Sequence, residues 1–288
     1  MLKRLLLLFS LSALALGQEQ QMRANCSAEA HDEIIKAHHD LYHGVKGGGS
    51  GAAHAALLTR QNAAIAVDAY FHIVVSKAND PRYANWQKMA TDQMAVMNTA
   101  YNKHGISFTL KGSELTVNPA WAKGDDQNSA AMKKALRKGP YRALNIYFAS
   151  DYAGLGTCSM PTSIGSNPTP ATYSGDGCVV VADTMPGGGR TKFNLGMTAV
   201  HETGHWLGLF HTFNGESCDG DGDLIADTPA EKEQTTGCPA SKDSCPDKPG
   251  QDPIHNYMDY GWDECYEEFT PGQEARMKQL WGQFRNGK

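Results

Sequence analysis

Residues 65–75 read Ile-Ala-Val-Asp-Ala-Tyr-Phe-His-Ile-Val-Val, dense in β-branched and aromatic side chains, and this pattern predicts a strand. Across 81–104 the period changes. Trp86, Met89, Met94 and Met97 fall near helical spacing, which predicts a helix whose apolar residues pack a core rather than line a cofactor. Residues 106–110 and 115–117 are strand-like, and 128–138 reads as a short helix stopped by Gly139-Pro140. Residues 143–149 and 178–182 are further strands. Helices and strands alternate to this point, which suggests an α/β layer. The last element, 270–284, opens with Thr270 as cap, Pro271 at the first helical position and Gln273 completing a capping-box pattern. No internal repeat is present.

The N-terminal part has another texture. Lys3 and Arg4, the apolar run from Leu5 to Leu16, and the small residues Ala15 and Gly17 make 1–17 a secretory signal cleaved after Gly17. The alternative, a membrane anchor, fits less well because the run falls short of the roughly 20 apolar residues of a spanning helix. Residues 18–60 are rich in His, Ala and Gly and include the Gly/Ser run 47–51. They are expected to be a propeptide or linker with little capacity to form a core, leaving 61–288 as the ordered domain.

With 288 residues, 41% of them hydrophobic, the chain can build a sizeable core in one or two domains. A net charge of -5, with both signs mixed along the chain, excludes a nucleic-acid footprint or a polybasic membrane patch. The chain is expected to act as a monomer on soluble partners. Seven cysteines suit an exported protein in which most are paired and one is left over.

The chemistry concentrates in His201-Glu202-Thr203-Gly204-His205-Trp206-Leu207-Gly208-Leu209-Phe210-His211. Helix-forming residues precede it, with Asn194 as the expected cap. On a helix, His201 and His205 share a face and can aim at one ion, while Glu202 lies one residue round and reaches a water without ligating metal. Gly208 can adopt the left-handed backbone that ends a helix and brings His211 back as a third ligand. Three imidazoles leave a fourth position open, as in a catalytic zinc site rather than a structural one. A helix carrying coincidental surface histidines is the bland alternative. So is a non-catalytic zinc-binding protein on the same fold, or a zinc hydrolase with a non-peptide substrate. The open three-His site with an intact Glu202 favours peptide hydrolysis, with Glu202 as general base and then proton donor to the leaving amine.

With these residues the sequence resembles a metzincin, whose signature His-Glu-x-x-His-x-x-Gly-x-x-His is followed by a methionine turn, here Asn256-Tyr257-Met258-Asp259-Tyr260. Within that group it is most similar to the pappalysin family, including ulilysin and secreted fungal extracellular metalloproteases. Residues 205–213, Asp227-Thr228-Pro229 and Phe269-Thr270-Pro271-Gly272-Gln273 carry the likeness. The resemblance covers about 65–284. It implies an α+β, zincin-like domain: an upper part with a twisted five-stranded mixed sheet and two long helices, and an irregular, disulfide-linked lower part with a C-terminal helix. It implies a secreted zinc endopeptidase acting on protein or peptide substrates held by the edge strand near 178–182.

The resemblance further implies Met258 as the floor of the site, Tyr260 as a donor to the tetrahedral intermediate, and Asp263 at the base of a pocket favouring Arg or Lys just after the scissile bond. The disulfides it implies are Cys218–Cys245 and Cys238–Cys265, leaving Cys158 and Cys178 to pair, each bridge worth roughly 2–4 kcal/mol. Cys26 is the odd cysteine, and the resemblance implies a cysteine switch in which it fills the open zinc position of a latent proform. If Asp263 selects basic residues, self-cleavage before Arg60 would remove the propeptide. Asp219, Asp221, Asp223, Asp227 and Thr228 offer hard oxygen ligands, without the terminal glutamate of an EF-hand. Pappalysin relatives bind calcium in this region, so a structural calcium stands against a simple acidic turn.

Overall fold

Ile65, Val67 and Ala69 are buried in strand β1 (Ile65–Val75), while Ala66 and Asp68 between them are exposed, and from Phe71 onward both faces are covered. That change marks where the strand enters the interior of a sheet. The computed structural model describes residues 32–46, 64–165 and 169–288. The expected signal, Cys26, the 47–51 run and Arg60 lie outside them.

The sheet also contains β2 (Ile106–Val117), β3 (Leu144–Ala149), β4 (Gly156–Cys158) and β5 (Cys178–Val181), in the order β2-β1-β3-β5-β4. All pairs are parallel except β4 with β5. The two strand-like stretches at 106–117 are one strand. Its register slips beside Lys111, since Ala69 faces Leu110 and Tyr70 faces Gly112. The substrate-binding edge expected near 178–182 is corrected: β5 lies between β3 and β4, and the edge on that side of the sheet is the three-residue β4. A strand that short carries no periodic signal.

One face of the sheet packs against helices α2 (Trp86–Tyr101) and α5 (Met197–Trp206). Met89, Met97, Val200 and Trp206 join Phe71, Ile73, Ile146 and Phe148 in the main core. Each such side chain, fully buried, contributes about 1.5–3 kcal/mol. The Tyr101 hydroxyl ties the two helices by donating to the Val200 carbonyl at 2.8 Å. On the other face Met132 of α3 (Asp126–Leu136) meets Val74, Tyr147 and Val179. Helix α4 (Pro170–Gly175) is short and precedes β5.

Below α5 the chain from Leu207 to Thr270 is almost without regular elements. Two disulfides, Cys218–Cys245 and Cys238–Cys265, fix it, and a third, Cys158–Cys178, joins β4 to β5. Lys242 bridges the buried carboxylates of Glu231 (3.1 Å) and Asp252 (2.8 Å). Helix α6 (Pro271–Leu280) starts with a complete capping box between Thr270 and Gln273 and runs into a π turn at Trp281–Arg285. Arg285 is buried and donates to Asp176 at 2.8 Å, and Arg137 approaches the same carboxylate at 3.2 Å.

The expectation that 18–60 adds little to a core is corrected for its middle. Residues Asp32–Lys46 form helix α1, with Ile34 and Ala37 buried against Phe210, Leu224, Leu280 and Phe284. The apolar stripe is narrow, and the polar residues around it masked it.

Candidate metal centre

Helix α5 begins after Gly196, which holds φ 90°. The expectation that Asn194 caps it is corrected: Gly196 holds the cap position, and the Asn194 amide donates to the Gly188 carbonyl at 2.8 Å. Asp263 serves that end instead. Its Oδ2 accepts from Leu195 N at 2.8 Å and from Met197 N at 3.4 Å, placing a carboxylate at the helix's positive pole.

The helical spacing sets His201 and His205 side by side with Nε2 atoms 3.2 Å apart. Gly208 then takes φ 100°, donating its N–H to the His205 carbonyl at 2.8 Å, while Leu209 N donates to the Gly204 carbonyl at 2.9 Å. This reversal returns His211, whose Nε2 lies 3.2 Å from that of His201 and 3.0 Å from that of His205. The other ring nitrogens are engaged outward. His201 Nδ1 donates to the Tyr257 carbonyl and His205 Nδ1 to the Leu209 carbonyl, both at 2.7 Å. Each Nε2 of these two rings is thereby left as the lone-pair nitrogen. Burial pushes His205 down to about 4 and, with the neighbouring imidazoles, pushes His211 well below the usual histidine range, so both are neutral.

The three rings could hold a metal ion. Nitrogens of a tetrahedral zinc site lie about 3.3 Å apart for bonds of about 2.0–2.1 Å, which matches this spacing. Lone pairs converging this closely repel one another unless a cation lies between them, and the donor set fits zinc.

Beneath the helix, Met258 is fully buried, and a side-chain carbon on Gly204 would lie 2.4 Å from its sulfur. The turn that carries Met258 is fixed by Asn256, whose Oδ1 accepts from Met258 N at 2.9 Å. The Asn256 and Gln273 amides exchange hydrogen bonds at 2.8 and 2.9 Å, so the cap of α6 also holds this turn. Glu202 is buried and lines one pocket together with Leu155, His201, Tyr260 and Asp263. The Tyr260 ring packs edge-on to His211 at 4.9 Å.

The expected calcium ligands each have partners within the protein. Asp219 is exposed and pairs with Lys248 at 2.8 Å. Asp227 accepts from Thr270 Oγ1 and Gly272 N, each at 2.8 Å, at the start of α6. Asp221 turns toward His43 at 3.9 Å. Thr228 Oγ1 donates to Asp223 Oδ1 at 2.6 Å, and Asp227 is near enough for its charge to act on Asp223. Burial pushes Asp223 up to about 7, and its Oδ2 has no hydrogen-bond partner among the described residues.

Sequence reasoning missed Gly156, whose absent side chain leaves room for Glu202, and the Tyr257 carbonyl that orients His201. Neither has a local signal; both depend on chain segments meeting in space.

Residues 139–281 match the family described as pregnancy-associated plasma protein-A, Peptidase_M43. An extracellular metalloprotease of Colletotrichum graminicola is 51% identical over 224 residues, covering 77% of this chain and 78% of that protein. One from Pyricularia oryzae is 47% identical over 284 residues, 97% of this chain and 94% of its own length. Among solved structures, mature mirolysin of Tannerella forsythia, in complex with a cleaved peptide, superposes with a TM-score of 0.59 at 25% identity, covering 76% of this chain and 92% of that one.

Proposed function

Because this chain belongs to the Peptidase_M43 (pappalysin) family of metzincin zinc metalloendopeptidases, we propose that Glu202 is its general base and His201, His205 and His211 its zinc ligands. The observation that carries this reading is the convergence of three Nε2 atoms within 3.2 Å beside a pocket that contains Glu202 and Tyr260. Zinc, when bound, lowers the pKa of a coordinated water and polarises the scissile carbonyl. Glu202 takes the proton of the attacking water and delivers it to the leaving amine. The Tyr260 phenol donates to the oxygen that gains charge as the carbonyl becomes tetrahedral. An extended substrate adds to the open edge of β4, the strand that passes Glu202.

Asp263 gives the pocket a negative wall that favours Arg or Lys after the cleaved bond. Its Oδ2 already receives two backbone N–H groups, so its charge, rather than a new hydrogen bond from that oxygen, is what draws the basic side chain. Secretion fits the relatives' names, and no helix among the described residues is long and apolar enough to cross a membrane. Six cysteines are bridged, which leaves Cys26 to hold the proform latent by ligating the open metal position until cleavage before Arg60. Calcium at the acidic loop is supported by the buried Asp223 oxygen alone.

Casein hydrolysis by the wild type and by Glu202→Gln tests the central reading. Loss of nearly all activity with zinc content retained is expected; comparable activity in the variant overturns it. Mass mapping of cleaved peptides from a proteome-derived library tests Asp263, and apolar residues after the cleaved bond would defeat that part.

A further inference from the structure

Helix α1 presents two further imidazoles to solvent. His39 and His43 stand one turn apart, their rings stacked with centroids 5.7 Å apart and planes within 10°. Opposite them, across the junction between α1 and the acidic loop, Asp221 brings its Oδ2 to 3.9 Å from His43 Nε2. One donor atom from each of the three lies within 4.8 Å of the others. All three residues are exposed, and binding a tetrahedral zinc, whose ligand atoms lie about 3.3 Å apart, requires them to draw in from this spacing.

What makes this more than a chance meeting of surface groups is how firmly α1 is seated. His38, the neighbour of His39, is fully buried, donates Nε2–H to the Gly208 carbonyl at 2.7 Å and stacks on Phe210 at 4.2 Å. It also contacts Arg276 of α6 through Nδ1. At the start of the helix, Glu33 accepts from Ser163 N at 2.7 Å and from the Thr162 hydroxyl. Ile34 and Ala37 fill the apolar contact. The packed face thus fixes the rotation of α1, and that rotation turns His39 and His43 toward the acidic loop.

We propose that His39, His43 and Asp221 form a second metal site, specific for zinc or a similar transition ion, which ties α1 to the acidic loop. Two imidazole nitrogens and one carboxylate are a zinc-type donor set; calcium and magnesium prefer oxygen throughout. The site is separate from the catalytic centre and serves another purpose. α1 docks on Gly208 and Phe210, within the turn that delivers His211. A metal bound across the junction favours the docked helix by mass action, because the undocked helix lacks Asp221. Zinc level thereby sets how tightly the N-terminal segment stays on the enzyme.

The test uses the full-length chain carrying Glu202→Gln, which removes the proton-accepting carboxylate while sparing the three catalytic imidazoles. The metal-stripped protein is titrated with zinc chloride, bound zinc is counted by elemental analysis, and hydrogen exchange is followed in residues 32–46. Two equivalents of micromolar or tighter affinity are expected, falling to one in the His39→Ala/His43→Ala double variant, with exchange in 32–46 slowed by zinc only in the parent. Asp221→Asn should weaken the second equivalent at least about tenfold. These side chains are exposed, so the variants keep the fold. A single equivalent in the parent, or two in the double variant, overturns the proposal while leaving the catalytic site intact; no bound zinc would sink both. Protection of 32–46 by calcium chloride that survives the double substitution also overturns it.

Discussion

Gly156 of β4 and Glu202 of α5 touch so closely that a β-carbon on the glycine would lie 2.4 Å from the Glu202 Oε1. The glycine is not at a positive φ, so alanine is free to adopt its backbone. The effect of Gly156→Ala is therefore steric and falls on the carboxylate. A displacement of about 1 Å in a reacting group can cost on the order of 10²-fold in rate. We expect kcat/KM to fall by about that factor on a peptide substrate, with bound zinc unchanged and the thermal midpoint somewhat lowered by the overpacking. Unaltered kinetics would show that Glu202 tolerates the shift.

Tyr260→Phe keeps the ring against His211 and Phe213 and deletes only the hydroxyl. Removing one donor to a developing oxyanion costs on the order of 10²-fold in kcat. Steady-state kinetics should show that loss in kcat with KM nearly constant. A change confined to KM would assign the phenol to substrate binding.

Gly208→Ala acts on the reversal that brings His211 home. Its φ of 100° disfavours any side chain, and the added carbon would lie 2.4 Å from Leu280 Cδ1. The backbone term alone is about 1–2 kcal/mol. We expect a lower thermal midpoint together with weaker zinc retention against a competing chelator. Loss of stability with zinc affinity intact would separate the turn from the metal.

Asp176 supplies the pH dependence. Burial opposes its charge, but Arg285 and Arg137 outweigh burial and hold the carboxyl below the ordinary aspartate range. A carboxylate whose folded pKa is depressed stabilises the fold above its unfolded pKa of about 3.9 and loses that contribution as pH falls through the folded value. Thermal stability should therefore drop below about pH 4. Asp176→Asn should flatten this acid limb while costing about 3–5 kcal/mol at neutral pH, because two buried guanidiniums lose their counter-charge. An acid limb of the same slope in the variant would place its origin elsewhere.

The legible parts of the chain were those with local cause. β1 is visible in its run of β-branched and aromatic residues, and the spacing of His201 and His205 places both on one helix face. Gly208 foretells the return of His211. What stayed hidden was tertiary. Lys111 breaks the pattern of β2, so one strand reads as two. β4 is three residues long, and without it the sheet order, and hence the edge, cannot be inferred. α1 hides its buried Ile34, Ala37 and His38 among polar neighbours. Asp263 reads as a specificity group, yet its Oδ2 is bonded to the start of α5, a role set by a contact between residues far apart in sequence.

The side chain of Gln273 belongs at once to the capping box of α6 and to the amide pair with Asn256 that shapes the methionine turn. A nascent polypeptide therefore cannot complete its floor under the histidines until that helix has emerged and closed.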